Sequence, residues 1–169
     1  AIGQGEILVT PIQVLNYINL ISTRGKSPSC HFVMVDNLPK NSKPELEEKH
    51  WKQVYDGLSS AIISKNGTGR KSDPLINGLK VYGKTGTAEK ISLEKRGYTK
   101  DKVVANFVGL FPLQEPRFVI AAFLDEPENN LLQEPCRYAS CTVVPMVKKL
   151  IERTGPLMNV TPDNQALMF

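Results

Sequence analysis

Gly78-Leu79-Lys80-Val81-Tyr82-Gly83-Lys84-Thr85, running on into Gly86-Thr87, is the stretch on which the fold of this chain turns. As Gly-x-x-x-x-Gly-Lys-Thr it has the spacing of a phosphate-cradling loop. Val119-Ile-Ala-Ala-Phe-Leu-Asp125-Glu126 fits the same idea, as an apolar segment ending in an acid that could hold Mg²⁺ in a nucleotidase. The context fails, however. A phosphate loop follows a buried strand, stays glycine-rich and opens a helix whose first N–H groups face the anion. Here Lys71-Ser-Asp-Pro74-Leu-Ile-Asn77 precedes the first glycine, and the loop would contain Leu79, Val81 and Tyr82. Thr85, Gly86 and Thr87 would have to form the first helical turn, for which glycine and threonine are poorly suited.

An extended strand accounts for the same residues. Leu79 and Val81 alternate around Lys80 as on a half-buried strand. Lys84 and Gly86 then share one face, and a glycine beside a lysine leaves room for a ligand or another backbone. Thr85 and Thr87 bring hydroxyls, and a sheet edge adds unpaired N–H and C=O groups. That set suits an extended peptide carrying a carboxylate: the strand pairs with its backbone, while Lys84 and the hydroxyls receive the anion. A plain edge strand with a solvated lysine would show the same four letters, so the motif alone does not choose.

Composition narrows the class. The 169 residues are 41% hydrophobic and 22% charged, as in one folded unit of a globular domain. A net charge of +4 without a Lys/Arg block argues against nucleic acid, and no apolar run reaches the length of a membrane span. Cys30, Cys136 and Cys141 lack the paired spacings of a zinc site, and His31 and His50 stand apart, so neither metal nor cofactor is expected. Cys136 and Cys141 could pair in an oxidising compartment; buried free thiols are the preferred expectation.

Periodicity orders the elements. A helix opens at Thr10 or Pro11 and closes at Arg24-Gly25; its apolar residues lie almost all round, which predicts burial. Cys30 to Val35 reads as a short strand. Ser42-x-x-Glu45 reads as a capping box for a second helix, whose stripe of Trp51, Val54, Tyr55, Leu58, Ala61 and Ile62 ends near Gly67. Strands follow at 79–88, 103–111 and 117–125, the last two joined by Pro112-Leu-Gln-Glu-Pro116, a connection fit for an antiparallel hairpin. That hairpin disagrees with the parallel strands of a phosphate-loop fold. Lys90 to Lys102 is too charged for a core and should form a loop or an extended hairpin beside the active edge. Ser140 or Thr142 starts a last helix through Val143, Met146, Val147, Leu150 and Ile151, and 155–169 is a tail without periodicity. The expected class is α/β of the α+β type.

Several segments in this order resemble the C-terminal part of the transpeptidase domain of high-molecular-weight, class B penicillin-binding proteins. Ala1-Ile-Gly-Gln-Gly5 with Val9-Thr-Pro-Ile-Gln13 resembles the lead into a buried helix of that family. Asn66-Gly-Thr-Gly69 resembles the turn ahead of the Lys-Thr-Gly strand, and Asn106-Phe-Val-Gly-Leu-Phe-Pro112 and 118–127 resemble the two strands after it. The Asp125-Glu126-Pro127 ending is similar to the division-type enzymes.

The resemblance implies a partial penicillin-binding/β-lactamase-like fold over 1–154. The implied activity is serine-type D-Ala-D-Ala transpeptidation, which crosslinks peptidoglycan stem peptides and is blocked by β-lactam antibiotics. Lys84 and Thr87 would be catalytic; Lys84, Thr85, Gly86 and Thr87 would bind substrate. The family's Ser-x-x-Lys nucleophile and Ser-x-Asn motif belong well upstream of Lys-Thr-Gly. Ser92-Leu-Glu-Lys95 comes after Lys84, and Ser64-Lys-Asn66 falls at a helix end close before it, so both are read as chance matches. The nucleophile is therefore expected in a missing N-terminal part of the same domain. An extracytoplasmic, periplasmic setting follows, anchored through a segment outside this chain, with cell-division proteins as further partners. A non-catalytic penicillin-sensing or scaffold module is the alternative from another class.

Overall fold

Capping chemistry starts the first helix. Thr10 is extended, with φ −83° and ψ 155°; its Oγ1 accepts from the Gln13 N–H at 3.4 Å, and its own N–H donates to Gln13 Oε1 at 2.8 Å. With Pro11 supplying a preset φ at the first position, α1 runs Pro11–Ser22. Arg24 and Gly25 then take positive φ, and the Gly25 N–H donates to the Leu20 carbonyl at 2.8 Å, closing the helix. The computed structural model describes residues 5, 7–26, 29–34, 36, 45–69, 80–92, 97–112, 115–128 and 136–160. All-round burial of α1 is not what it shows. Ile18 and Ile21 are buried, while Tyr17, one turn before Ile21, is 65% exposed.

Two further expectations in this half change. Residues 30–34 form coil and bend without a ladder partner, and Phe32, Val33 and Met34 are exposed, so there is no strand among the described residues of that stretch. The Cys30 N–H is instead taken by the side-chain oxygen of Asn16 on α1. Ser42 lies outside the described residues, and α2, Glu48–Ile63, begins after Glu47, which makes no side-chain cap bond. The capping box is formed at Thr10 and Gln13 instead. Glu48 meets the positive end of α2 and binds Arg24 Nη1 at 2.6 and 2.8 Å, tying the end of α1 to the start of α2. Tyr55 Oη donates to the Ile21 carbonyl at 2.8 Å, a second donor to an acceptor that already takes the Arg24 N–H at 3.1 Å.

Past α2 the chain folds back tightly. A Cβ on Gly67 would lie 2.7 Å from the carbonyl oxygens of both Ser60 and Ala61, so only glycine permits this approach. The Gly69 N–H completes the turn by donating to Ala61 O at 3.1 Å.

Three antiparallel strands follow in the spatial order β1-β2-β3: β1 Tyr82–Ile91, β2 Tyr98–Phe111 and β3 Phe118–Asp125. Lys84 pairs with Val108, Thr85 with Phe107, Gly86 with Asn106 and Thr87 with Ala105. The charged segment is the extended hairpin: beyond an irregularity at Glu89/Lys90, the pairs Lys90–Thr99 and Ile91–Tyr98 continue the ladder. Lys90 Nζ sits 2.6 Å from Asp125 Oδ1 and 2.8 Å from Glu126 Oε1, so its charge is matched where the hairpin leaves the sheet.

Strand alternation divides the core in two. Val81, Ala105, Phe107 and Phe111 face Val143, Val147 and Ile151 of α3, Val143–Thr154. Val108 and Leu110 face Ile18 and Ile21 of α1, with Tyr55 and Leu58 of α2 and Tyr82 packed around them. After α3 a short 3₁₀ turn, Pro156–Met158, leads to Val160, which is buried in the α3-side cluster. This is an α+β fold in which helices cover both faces of an antiparallel sheet.

The cysteines also depart from expectation. Cys136 and Cys141 form a disulfide with Cα atoms 6.2 Å apart, leaving Cys30 free and half-buried. A spacing of five places two cysteines within bridging distance only if the chain turns between them. It does so here: the Cys141 N–H and the Thr142 hydroxyl both donate to the Tyr138 carbonyl, at 3.1 and 2.8 Å.

Candidate functional site

β1 pairs with β2 on one side and has no strand on the other among the described residues. Lys84, Thr85, Gly86 and Thr87 thus stand consecutively on a sheet edge. The phosphate-loop alternative is excluded at this point, because Lys84 and Thr85 lie inside an antiparallel ladder and open no helix.

Alternation puts Lys84 and Gly86 on the α1/α2 side of β1 and Thr85 and Thr87 on the α3 side. Lys84 is exposed, and its Nζ donates to the carbonyl of its neighbour Thr85 at 2.7 Å. Thr85 is only 8% exposed, and its hydroxyl meets the hydroxyl of Thr68 in the turn after α2. The Thr87 hydroxyl accepts from the backbone N–H of Ala139 at 3.1 Å. The space at Gly86 is taken from within the protein: a Cβ there would fall 2.5 Å from Asn106 Oδ1 and 2.8 Å from Asn106 Nδ2.

Each threonine hydroxyl keeps hydrogen-bonding capacity after these contacts. Thr87 accepts from Ala139, which leaves its O–H free to donate. Thr68 and Thr85 share one proton between two oxygens, which leaves the second proton for another acceptor. An anion approaching the strand edge-on could meet Lys84 from one side and both hydroxyls from the other.

Three groups at this edge were not singled out as site residues from the sequence: Thr68, Asn106 and the Ala139 N–H. Asn106 carried a signal, being polar within the apolar run of β2 and opposite a glycine. Thr68 and Ala139 carried none, since each reaches β1 across a long stretch of chain. The two serines of the chance motifs lie elsewhere in the fold: Ser64 is the C-cap of α2, and Ser92 follows the last residue of β1. A groove between the end of β3 and α3, lined by Leu124, Pro127, Met146, Lys149 and Leu150, contains none of the four motif residues.

Comparison with known proteins matches this geometry to a family. Residues 1–151 match the family described as penicillin binding protein transpeptidase domain. The chain is 34% identical over 135 residues to the peptidoglycan D,D-transpeptidase FtsI homolog of Chlorokybus atmophyticus, covering 80% of this chain and 18% of that protein. It is 27% identical to stage V sporulation protein D of Bacillus subtilis (strain 168), covering 96% of this chain and 25% of that one. The apo transpeptidase domain of penicillin-binding protein 3 from Burkholderia pseudomallei superposes with a TM-score of 0.71 at 27% identity. That match covers 92% of this chain and 44% of the solved one. The chain therefore spans a quarter or less of the length of these two curated relatives. An edge strand bearing Lys-Thr-Gly-Thr, a helix-covered antiparallel sheet and a match over nearly the whole length lead to one conclusion: the chain belongs to the penicillin-binding protein transpeptidase domain family.

Proposed function

We propose that this chain is the carboxylate-binding part of a serine-type peptidoglycan D,D-transpeptidase, with the nucleophilic serine supplied by residues outside it. The observation that carries the proposal is the placement of Lys84-Thr85-Gly86-Thr87 on a strand edge inside a matched transpeptidase domain. In this scheme the serine hydroxyl attacks the carbonyl of a D-Ala-D-Ala bond, the C–N bond breaks and D-Ala leaves. An amine of a neighbouring stem peptide then takes the acyl group and releases the serine. β-Lactams enter as mimics of the same peptide and remain as acyl-enzymes.

Each motif residue has a distinct part. Lys84 supplies positive potential to the substrate carboxylate and assists proton movement near the serine. The Thr85 and Thr87 hydroxyls donate to that carboxylate, a charge-assisted pairing stronger than a neutral one. The Thr87 backbone N–H stabilises the oxyanion together with the N–H of the nucleophile. Gly86, with no Cβ, leaves room on its face of the strand for the Asn106 side chain. The nucleophile-bearing part of the same domain is the first partner, and cell-division proteins are further ones. An extracytoplasmic location fits the Cys136–Cys141 disulfide, since such bonds persist in oxidising compartments.

Labelling source membranes with fluorescent penicillin, followed by capture through an antibody against this segment, tests the proposal. A labelled band much larger than 18.8 kDa is expected. An unlabelled band with no labelled partner would overturn it in favour of a non-catalytic scaffold.

A further inference from the structure

The Ala139–Thr87 hydrogen bond spans 52 residues of sequence and joins the candidate catalytic strand to a turn closed by a disulfide. Ala139 is 2% exposed and lies between Cys136 and Cys141. Its carbonyl accepts from the Val144 N–H at 3.0 Å, which fastens the downstream arm of the turn to α3. The upstream arm is secured differently. Besides the disulfide, the backbone of Cys136 is held in an isolated β-bridge, and Arg137 is held by Glu128 at 2.9 Å, an ion pair exposed enough to contribute little. An amide N–H can only donate, so at this contact the Thr87 oxygen can only accept. Its single proton is thereby directed to another acceptor.

We propose that the Cys136–Cys141 disulfide is a positioning element for the transpeptidase strand. By closing the turn that carries Ala139, it keeps the Ala139 N–H on Thr87 and so holds the Thr87 hydroxyl as a donor toward the substrate carboxylate. This deepens the acyl-transfer proposal and rests on it for its catalytic consequence, but the clamp itself is a property of the fold. Reduction by a dithiol breaks the S–S bond with two electrons and two protons. It leaves thiols on Cys136 and Cys141 and converts the dithiol to its own disulfide.

The test has two arms, on protein of native length, oxidised or reduced with dithiothreitol, with C136S/C141S as a second way to open the clamp. Amide hydrogen exchange reads the clamp alone: protection of the Ala139 N–H should fall roughly tenfold on opening, while Phe107 and Leu110 in β2 keep theirs. Unchanged protection at Ala139, or free thiols in the untreated protein, would overturn the proposal whatever the enzyme does. Penicillin acylation reads the consequence. Its rate should fall about fivefold on reduction, the scale of coupling within one hydrogen-bond network. In a Thr87→Val background, which lacks the acceptor, reduction should change nothing further. Equal sensitivity in both backgrounds would mean that the disulfide acts only on general stability, and would refute a positioning role. Failure of penicillin labelling altogether would count against the acyl-transfer proposal and leave the exchange result standing.

Discussion

The two faces of β1 are built on different principles. On the α3 side, Thr85 and Thr87 are tied to distant parts of the chain, through Thr68 and the Ala139 N–H, and Thr85 is nearly out of solvent. On the α1/α2 side, Lys84 is exposed and, among the described residues, bound to the carbonyl of the next residue, while Gly86 yields its space to Asn106. One face fixes direction and the other supplies charge. A hydroxyl donates usefully only along one vector, so its partners must be preset. An ammonium acts largely through its potential and tolerates a looser hold.

The sharpest way to break this comparison is to remove the charge. Lys84→Ala in the complete enzyme should lower penicillin acylation by about 10²–10³-fold, the scale of losing one preorganised electrostatic group, with little change in melting temperature. Acylation at an unchanged rate would sink the catalytic assignment of Lys84.

Glycine substitutions compare the two faces by space. A Cβ on Gly83 would lie 2.5 Å from the Phe107 ring and 2.7 Å from the Val108 carbonyl oxygen, both parts of the sheet itself. Gly83→Ala should therefore destabilise by about 2–3 kcal/mol, measured by denaturant unfolding. At Gly86→Ala the three nearest atoms all belong to the Asn106 side chain, which can rotate, and the change should cost about 1 kcal/mol. Adding Asn106→Ala should recover most of that loss; no recovery would show that the obstacle lies elsewhere.

A smaller effect is expected from Thr85→Val. It leaves the Thr68 hydroxyl without its partner and should cost about 1 kcal/mol or less, because Thr68 can turn toward water.

The smallest effect lies at the hairpin, where Lys90 is held by charge alone. Hydrogen bonds donated to Asp125, then to Glu126, raise the Lys90 pKa above its ordinary value. The folded state thus favours the charged form. Its contribution to stability is complete below the ordinary lysine pKa and is lost as pH rises through the raised one. Melting curves of the unaltered protein and Lys90→Met should differ at neutral pH and converge in strong alkali, and salt should narrow the gap. A gap that persists in strong alkali would mean that packing of the aliphatic stem, not charge, is at work.

Much of the fold was legible because its signals are local. The alternation around Lys84, the short six-residue link between β2 and β3 and the four-residue spacing of Val143, Val147 and Ile151 each follow from local geometry. The misses have physical causes as well. Cys30 to Val35 has strand composition, but strands need neighbours, and the described residues 30–34 have no ladder partner. Ser42-x-x-Glu45 and Thr10-x-x-Gln13 carry the same capping letters, but α2 begins only at Glu48, and the box that forms is the one at Thr10.

The sequence by itself determined the family, most of the elements and the Lys84-Thr85-Gly86-Thr87 motif, since a motif and its order along the chain need no coordinates. Only the tertiary structure decided which groups hold those letters in place. The Thr68–Thr85 and Ala139–Thr87 contacts, the seating of Asn106 on Gly86 and the pairing of Cys136 with Cys141 all depend on how separate elements are brought together. Such contacts are set by sheet register and by how turns and helices pack against the strands, which residue spacing along the chain does not encode.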